Sequence, residues 1–377
     1  MTTAAGAGGP GDDHAWMGDA LTLALHAEGL TSPNPTVGAL VVKEGVAVGR
    51  GYHRRAGEAH AEVEALAEAG SRAERATLYV TLEPCNHRGR TPPCVDAIVS
   101  AGIARVVMAI ADPNPRVQGG GARALRAAGI EVALGCREEE ARAVNRVFFT
   151  AVARQRPHVT LKWAMTLDGK IADLDRRARW ITAGAARAEA HRLRSLCDAV
   201  VVGIGTALAD DPALDVRLAT PWPREPLRVV VDSRARLPVT ARLIRAGSAS
   251  RVVVAVSDEA PGERVARLAS LGVTVLACKR ADERVDVGDL AARLFAMDVM
   301  SILVEGGGEL HAAFLEAGLV DRVAVFVAPK LIGGAGAPTP VSGRGLSLPD
   351  ALRVESVTVR PLGDDWLIEG DISRARQ

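Results

Sequence analysis

The feature that most constrains the fold is a set of candidate metal ligands drawn from separate segments of the chain. His60 stands two residues before Glu62, and two cysteines, Cys85 and Cys94, each follow a proline. One neutral imidazole and two thiolates fill three positions of a tetrahedral zinc site and leave the fourth open for water. Eight residues separate the cysteines, so we expect the second to arrive across a loop rather than on the next helical turn.

Glu62 adds a proton carrier to this set of ligands. Zinc lowers the pKa of bound water to about 7, and a nearby carboxylate can move protons without binding the metal. A histidine, a glutamate and two cysteines in this order are the signature of zinc nucleobase deaminases, although there only two residues separate the cysteines. One alternative is a chance arrangement with cysteines as small buried hydrophobes. Another is that His87 supplies a fourth ligand, which would make the metal structural.

Length and composition narrow the protein class. At 377 residues the chain exceeds what one hydrophobic core usually supports, so we expect two domains. Its net charge of +1 supplies no general field for polyanions, and no apolar run approaches the roughly 20 residues of a membrane span. Five cysteines, two of them assigned to a metal, favour a reducing cytoplasm over a disulfide framework. We interpret the other three as core or incidental residues: Cys136, Cys197 and Cys278.

Alternating strand and helix patterns predict layered α/β domains. A break at residues 155–157 follows a predicted helix over 144–153 and precedes a new strand. We therefore divide the chain into a disordered tail, residues 1–13, a first domain, residues 14–153, and a second domain, residues 154–377. The metal helix is expected to begin near Ala59.

Glycine turns mark the candidate chemistry of the second half. Residues 305–310 lie between a predicted strand, 301–304, and a predicted helix, 311–317. Such a turn presents backbone N–H groups and the positive end of a helix to a phosphate, although many glycine turns hold no ligand. A second turn at 203–206 departs from the dinucleotide fingerprint, because Leu208 stands where the third glycine belongs.

Longer motifs resemble one known family over nearly the whole chain, from about residue 15 to 370. The motifs are Pro33-Asn34-Pro35-Thr36-Val37-Gly38, His60-Ala61-Glu62-Val63, the segment 81–94 with its long gap between cysteines, Met165-Thr166-Leu167-Asp168-Gly169-Lys170, Ala207-Leu208-Ala209-Asp210-Asp211-Pro212 and Val304-Glu305-Gly306-Gly307. They look like the bifunctional riboflavin-biosynthesis deaminase/reductases. The long cysteine gap, unusual for zinc deaminases in general, is the usual form in that family.

The resemblance implies a fold and two reactions. The N-terminal domain would be three-layered and cytidine-deaminase-like, and would use zinc to release ammonia from a diaminopyrimidinone ribosyl phosphate. The C-terminal domain would be dihydrofolate-reductase-like and would reduce the ribosyl group to ribityl with NADPH. A homo-oligomer that binds a small molecule, with no nucleic acid or membrane partner, is expected. The rival hypotheses are a polynucleotide deaminase, which would need an aromatic-lined basic channel, and a non-catalytic zinc module.

Family positions also imply roles for individual residues. Zinc would be held by His60, Cys85 and Cys94, with Glu62 as general acid and base. NADPH would contact Ala164, Trp180, Thr206, Asp210, Ser233 and Gly307. Substrates would contact Asn34, Lys162, Ala178, Arg194, Leu214, Arg217 and Glu305, with the arginines suited to bidentate phosphate contacts. Arg234, after Asp232 and Ser233, favours NADPH over NADH, because an arginine near the ribose accommodates the 2′-phosphate.

Overall fold

The chain divides into two units, residues 1–155 and 156–377, in a computed structural model that describes residues 10–87, 92–115, 117, 119–245 and 249–373. The sequence-based boundary lies two residues before this division. The predicted tail is wrong at its end, because a helix already begins at Pro10 and Asp13 is buried beside Arg105 and Tyr79. Residues 1–9 lie outside the described residues.

The first unit contains one five-stranded sheet with helices packed on it. Its elements are α1 (Pro10–Leu25), β1 (Gly38–Lys43), β2 (Val46–Tyr52), α2 (Ala61–Ala69), β3 (Thr77–Val80), α3 (Cys94–Ser100), β4 (Arg105–Met108), α4 (Gly120–Ala127), β5 (Glu131–Leu134), α5 (Glu138–Val144) and α6 (Arg146–Arg154). The sheet order is β2-β1-β3-β4-β5. The first two pairings are antiparallel and the last two are parallel. The carboxyl ends of β3 and β4 therefore lie at the same edge of the sheet.

Helix α2 lies directly against the backbone of β2. A Cβ atom built on Gly49 would come within 2.1 Å of the Ala65 carbonyl oxygen, and one on Gly51 within 2.2 Å of the Ala61 oxygen. Glycine in a strand interior often marks such a close approach of another backbone. These two glycines therefore set the distance of α2 from the sheet.

The second unit is built on a nine-stranded sheet. Its elements are β6 (His158–Thr166), α7 (Gly184–Ser195), β7 (Ala199–Gly203), α8 (Ile204–Asp210), β8 (Leu227–Val231), α9 (Arg242–Arg245), β9 (Val252–Ser257), α10 (Gly262–Ala269), β10 (Thr274–Cys278), β11 (Arg280–Ala281), β12 (Arg284–Val285), α11 (Val287–Phe295), β13 (Ser301–Gly306), α12 (Gly308–Glu316), β14 (Arg322–Ala328), β15 (Arg353–Leu362) and β16 (Asp365–Ser373). Strands β11 and β12 form a separate small hairpin.

Near the centre of the large sheet, the order in which the chain adds strands reverses. Its order is β10-β9-β8-β7-β13-β6-β14-β16-β15, parallel from β10 to β14 and antiparallel beyond. In open α/β sheets, ligands bind outside the carboxyl ends of the strands where the strand order reverses. The ends of β7, β13 and β6 meet this description.

Several predicted element bounds are corrected by the structure. Helix α12 begins at Gly308 rather than at residue 311, because β13 runs on to Gly306 and the helix starts directly after Gly307. The helix predicted over 144–153 is two helices separated at Asn145, whose carboxamide binds the backbone N–H and C=O of Thr36 at 2.7 and 2.8 Å. The metal helix begins at Ala61, so His60 caps it.

None of the helices described in this chain is long and apolar enough to cross a membrane.

Candidate active sites

The three predicted metal ligands converge in the first unit. Cys85 follows β3, Cys94 opens α3 and His60 precedes α2, and their ligand atoms all lie within 4.8 Å of one another. His60 Nδ1 lies 3.1 Å from Cys94 Sγ and 3.7 Å from Cys85 Sγ. Tetrahedral zinc, with Zn–S of about 2.3 Å and Zn–N of about 2.0–2.1 Å, requires N···S separations of roughly 3.6 Å. These side chains therefore fit zinc.

The two thiols differ in acidity. Hydrogen bonds from Cys94 and His60 lower the pKa of the Cys85 thiol to about 4, although burial opposes this. The pKa of the Cys94 thiol is raised, because its proton is held in the hydrogen bond to Cys85 and the group is buried. Metal binding releases such a proton, since zinc takes the thiolate. The pair therefore offers one thiolate at neutral pH and gains the second with the metal.

Glu62 lies in the first turn of α2, beside the ligands but outside the ligand group. Its side chain is buried, with a relative exposure of 4%, and burial raises the pKa of its carboxyl group. Catalytic acids and bases work best when their pKa approaches the operating pH. Glu62 can therefore both accept and return a proton beside the metal.

The candidate fourth ligand does not join the site. Within the ranges that the structure describes, the group of potential ligands contains His60, Cys85 and Cys94, and His87 is an exposed side chain outside it. The remaining cysteines also lie elsewhere: Cys197 and Cys278 are buried and Cys136 is half-buried. The fourth coordination position is thus free of a described protein ligand, as a catalytic zinc requires.

Asn34 approaches the site through a histidine that the sequence analysis missed. Its Nδ2 donates to His53 Nε2 at 3.0 Å, and His53 Nδ1 donates to the Ala59 carbonyl oxygen at 3.0 Å. The His53 ring meets the His60 ring edge to face, with centroids 5.4 Å apart. Burial lowers the pKa of His53, so it is neutral and orients Asn34. Its position one residue after β2, in the approach to the metal helix, was the available signal.

Asp112 is a second residue that the sequence analysis missed. Pro113 and Asn114 follow it in the sequence, and its Oδ1 accepts from the Asn114 N–H at 2.8 Å. However, the side chain is buried, and burial raises its pKa to about 6, with the charges of Glu83 and Cys85 acting in the same direction. A carboxyl group that titrates near neutral pH close to a metal site can hold a polar substrate group.

The second unit contains a cleft of about 1360 Å³ at the carboxyl ends of its central strands. All twelve site residues predicted for this half line it: Ala164, Trp180, Thr206, Asp210, Ser233 and Gly307 from the cofactor set, and Lys162, Ala178, Arg194, Leu214, Arg217 and Glu305 from the substrate set. Residues from β6, β7, α7, α8, β13 and their following loops are thereby brought to one place.

A buried carboxylate organises one part of the cleft. Glu305 accepts from Arg194 at 2.6 and 2.9 Å and from Lys162 at 3.4 Å. Burial alone would raise the pKa of Glu305, but the positive charges of Arg194 and Lys162 outweigh it and hold the pKa at about 2. Arg194 also donates to the Asp215 carbonyl oxygen at 3.1 Å. Its guanidinium, predicted to face a phosphate, is thus engaged by protein groups.

Arg217 and Leu214 differ in the exposure of their side chains. The Arg217 guanidinium pairs with Asp215 at 2.9 Å, and its side chain is 58% exposed. Exposed pairs of this kind are weak, so a phosphate can take the place of the carboxylate. Leu214 is buried and has a φ of 54°, an uncommon backbone conformation for a residue other than glycine.

The glycine turns of the cleft leave room for a phosphate-bearing cofactor. Gly307 has a φ of 83° and immediately precedes α12, whose positive end faces the cleft. A Cβ atom on Gly306 would lie 3.1 Å from the Thr206 side chain, so a larger residue would fill the turn. Backbone N–H groups at a helix start are an anion site. Beside it, Trp180 is 65% exposed and Arg187 stacks on its ring at 4.6 Å. These features fit NADPH.

Two family models match the chain. The cytidine and deoxycytidylate deaminase zinc-binding region matches residues 10–110, which include the three metal ligands. The RibD C-terminal domain matches residues 157–368, most of the second unit.

Relatives match over nearly the full length. The chain is 45% identical to the riboflavin biosynthesis protein RibD of Aquifex aeolicus over 94% of this chain and 97% of the relative. Among solved structures, it is similar to Acinetobacter baumannii RibD, with a TM-score of 0.88, 37% identity, and coverage of 97% of this chain and 100% of that one. A Thermotoga maritima diaminohydroxyphosphoribosylaminopyrimidine deaminase/5-amino-6-(5-phosphoribosylamino)uracil reductase gives a TM-score of 0.84, 35% identity, and coverage of 97% and 99%.

These matches confirm the predicted fold class, a cytidine-deaminase-like first unit and a dihydrofolate-reductase-like second unit.

Proposed function

Since the chain belongs to the RibD family and is a bifunctional deaminase and reductase of riboflavin biosynthesis, we propose specific substrates and residue roles for its two reactions. The first unit removes an amino group from a diaminopyrimidinone ribosyl phosphate, and the second reduces the ribosyl group to ribityl. The observation that carries this proposal is the convergence of one histidine and two cysteines in a chain whose second unit has a phosphate-suited cleft. Zinc, when bound, makes a water molecule nucleophilic near neutral pH, and NADPH, when bound, supplies the reducing equivalents.

In the deaminase unit, His60, Cys85 and Cys94 hold the metal. Glu62 would move the two protons of the attacking water in turn, the first to the ring nitrogen and the second to the leaving amine, a role that its raised pKa favours. Asn34, oriented by His53, holds the pyrimidine. The substrate specificity of this half thus depends on side chains around the ligands, not on the ligands themselves.

In the reductase unit, Glu305 orients Lys162 beside the sugar carbon that is reduced. Arg194 completes the charge balance around Glu305, and Arg217 exchanges Asp215 for the substrate phosphate. Ala178 and Leu214 contribute backbone contacts. The cofactor lies along the remaining predicted residues: Ala164, Trp180, Thr206, Asp210, Ser233 and Gly307.

One experiment tests both activities together. The purified protein is given the diaminopyrimidinone ribosyl phosphate and NADPH without oxygen, and ammonia release and NADPH absorbance are followed. We expect ammonia first and NADPH oxidation only after it. No ammonia from zinc-loaded protein would refute the deaminase proposal. NADPH left unoxidised in the presence of the deaminated intermediate would refute the reductase proposal.

Zinc binding gives a second expected result. Cys85→Ala removes the more acidic thiol of the ligand set, so the zinc content measured by plasma mass spectrometry should fall from about one per chain towards zero. Ammonia release should fall with it, and reduction of the deaminated intermediate should continue. Cys136→Ser is the matched control, because that thiol lies outside the ligand group. Zinc retained by Cys85→Ala would contradict the assignment.

We further propose that the protein is a homo-oligomer assembled through β15. This ten-residue strand ends the large sheet and pairs only with β16 among the described strands. Val354, Val357 and Val359 on it are 40%, 52% and 61% exposed, and the nearby Leu348 is 89% exposed. Long apolar edge strands pair with other chains unless they are protected.

The mass in solution tests this assembly. We expect wild-type protein to have at least twice the chain mass of 39.4 kDa by light scattering, and Val357→Lys/Val359→Lys to shift towards a single chain. Val46→Lys, at a 61% exposed position of β2, is the control and should not change the mass. A monomeric wild type, or a double variant of unchanged mass, would refute the proposal.

A cytoplasmic location and the absence of a nucleic-acid partner complete the proposal. All five cysteines are free, which suits a reducing compartment. Aromatic residues form 3% of the chain and the net charge is +1, so neither base stacking nor phosphate attraction is favoured. Cell fractionation and a filter-binding assay with single-stranded DNA test these two points.

A further inference from the structure

One buried carboxylate of the deaminase unit is neither in the metal-ligand group nor the proton carrier. Glu83 lies between β3 and Cys85, and it is only 4% exposed. Its side chain accepts three backbone N–H groups, Oε2 from Asp112 at 3.3 Å and from Gly119 at 2.9 Å, and Oε1 from Ala122 at 2.9 Å. Both oxygens of Glu83 therefore bind the part of the chain that follows β4.

The donors near α4 need an acceptor from outside their own helix. Gly119 precedes the helix and Ala122 lies in its first turn, where N–H groups have no intrahelical acceptor. Gly119 has no side chain that could cap the helix, so the Glu83 carboxylate takes this place, and a negative charge at a helix start is stabilising. Because Asp112 donates to the same carboxylate, Glu83 holds Asp112 and the start of α4 together.

The start of α4 also packs directly on the segment that carries Cys85. A Cβ atom built on Gly120 would come within 2.3 Å of Asn86 Nδ2, and one on Gly121 within 2.1 Å of the Pro84 carbonyl oxygen. Pro84 and Asn86 are the two neighbours of Cys85 in the chain. A shift of α4 would therefore be felt on both sides of a metal ligand.

Asp112 is tied to the same segment through the backbone as well. The Glu83 N–H donates to the Ile110 carbonyl oxygen at 3.0 Å. Ile110 lies two residues before Asp112, and Cys85 lies two residues after Glu83. The backbone bond and the side-chain bond together fix the place of the buried Asp112 relative to Cys85.

We infer that Glu83 is a positioning residue of the deaminase reaction: it fixes Asp112 relative to the metal ligand Cys85, and Asp112 in turn orients the pyrimidine beside the metal. Glu83 acts through Asp112 and takes no part in the proton transfers of Glu62. The inference rests on the proposed deaminase function and deepens it, because it separates the hold on the substrate from the chemistry at the metal.

Glu83→Gln tests this role, because glutamine keeps the size of the side chain but has fewer acceptors. A carboxylate accepts through two oxygens, whereas a carboxamide has one oxygen and an NH2 group that only donates. Either orientation of the carboxamide sets its NH2 group against at least one of the three backbone N–H groups.

The expected result is weaker substrate binding with the chemistry preserved. The KM for deamination of the diaminopyrimidinone ribosyl phosphate should rise about tenfold, the usual loss for a hydrogen bond to a charged group. The kcat should change by less than about threefold, since an interaction made equally in the ground state and the transition state affects KM alone. Zinc should remain at about one per chain, because all three ligands are intact.

The double variant Glu83→Gln/Asp112→Asn separates positioning from a general loss of structure. Asp112→Asn alone should also raise the KM. If Glu83 acts through Asp112, the double variant should have nearly the same KM as Asp112→Asn, because effects within one hydrogen-bond network are not additive. A role in stability alone predicts instead that the two increases in KM multiply.

Tyr79→Phe is the matched control for stability. It removes a buried hydrogen bond of 2.8 Å to Asp13 Oδ1, and it lies on the strand that leads to Glu83. This variant should unfold at a lower urea concentration and keep the wild-type KM. Reduction of the deaminated intermediate by every variant reports that the second unit is folded.

Glu83→Asp, with and without Asp112→Asn, supplies the same comparison if Glu83→Gln does not fold. An unchanged KM, a loss of zinc, or increases in KM that multiply in the double variant would overturn the inference and leave the deaminase proposal in place. Failure of both Glu83 variants to fold would assign Glu83 to folding and overturn it too. A zinc-loaded wild type that releases no ammonia would remove the deaminase proposal itself.

Discussion

Glu62→Gln is expected to lower ammonia release by about 10²–10⁴-fold, because the amide can neither take a proton from water nor return one to the leaving amine. Glutamine keeps the size of the buried side chain, and Glu62 is not one of the three grouped ligands, so zinc content should be unchanged. The same protein should still oxidise NADPH when it is given the deaminated intermediate. Coupled measurements of ammonia, zinc and NADPH on one preparation check all three points.

The control for this result lies on the same helix. Glu68 is exposed and accepts from the Arg50 N–H at 3.1 Å, a bond that glutamine can also accept. Glu68→Gln should therefore deaminate at the wild-type rate. If Glu62→Gln loses its zinc, or keeps its deaminase rate, then Glu62 is not the proton carrier of this site.

Glu305→Gln is expected to impair the reductase unit in both stability and rate. It leaves Arg194 and Lys162, 15% and 14% exposed, without the carboxylate that balances them. Loss of one partner from a buried ionic cluster typically costs about 3–5 kcal/mol of unfolding free energy. NADPH oxidation should fall by about 10²-fold or more, since Lys162 is no longer positioned. Urea denaturation measures the stability. The unfolding transition of the reductase unit is identified as the one that NADPH shifts to a higher urea concentration.

The pH dependence of this loss follows from the pKa of Glu305. Folding lowers that pKa from its ordinary value of 4.5 to about 2. The ionised carboxylate therefore stabilises the folded state above pH 4.5, and this contribution disappears as the pH falls towards 2. The difference between wild type and Glu305→Gln should be full at pH 7 and shrink below pH 4.5. Glu263→Gln, an exposed position on α10, should change stability by less than about 0.5 kcal/mol at any pH. A difference between wild type and Glu305→Gln that grows in acid would contradict the assignment.

Much of the metal site could be predicted because it depends on residue types and short spacings. Few kinds of protein site combine a histidine, a glutamate and two cysteines. The prolines before both cysteines indicated loops. The environment of Asp112 could not be predicted in this way. Its raised pKa depends on its burial and on the nearby charges of Glu83 and Cys85, which local composition does not reveal.

In the reductase cleft, too, a short motif could be predicted from the sequence, whereas a contact between distant residues could not. Gly307 and its turn were predicted from a strand, a glycine run and a helix in sequence order. The pairing of Arg194 with Glu305 joins residues 111 positions apart, and it exists because β13 inserts between β7 and β6. Strand insertion is a property of the whole sheet. Family resemblance placed Arg194 near a phosphate, and only the folded arrangement reveals which protein group already holds it.

The contact between β2 and α2 has a consequence for the metal. Gly49 and Gly51 let the helix rest on the strand backbone, and this helix begins directly after His60 and carries Glu62, whereas Cys85 and Cys94 come from elsewhere. A methyl group at Gly51 would push the helix outward by more than the roughly 0.2 Å that a zinc–ligand bond tolerates. The two glycines of β2 therefore help to set the metal–ligand distances. The reactivity of the site depends in this way on the spacing between a helix and the sheet below it.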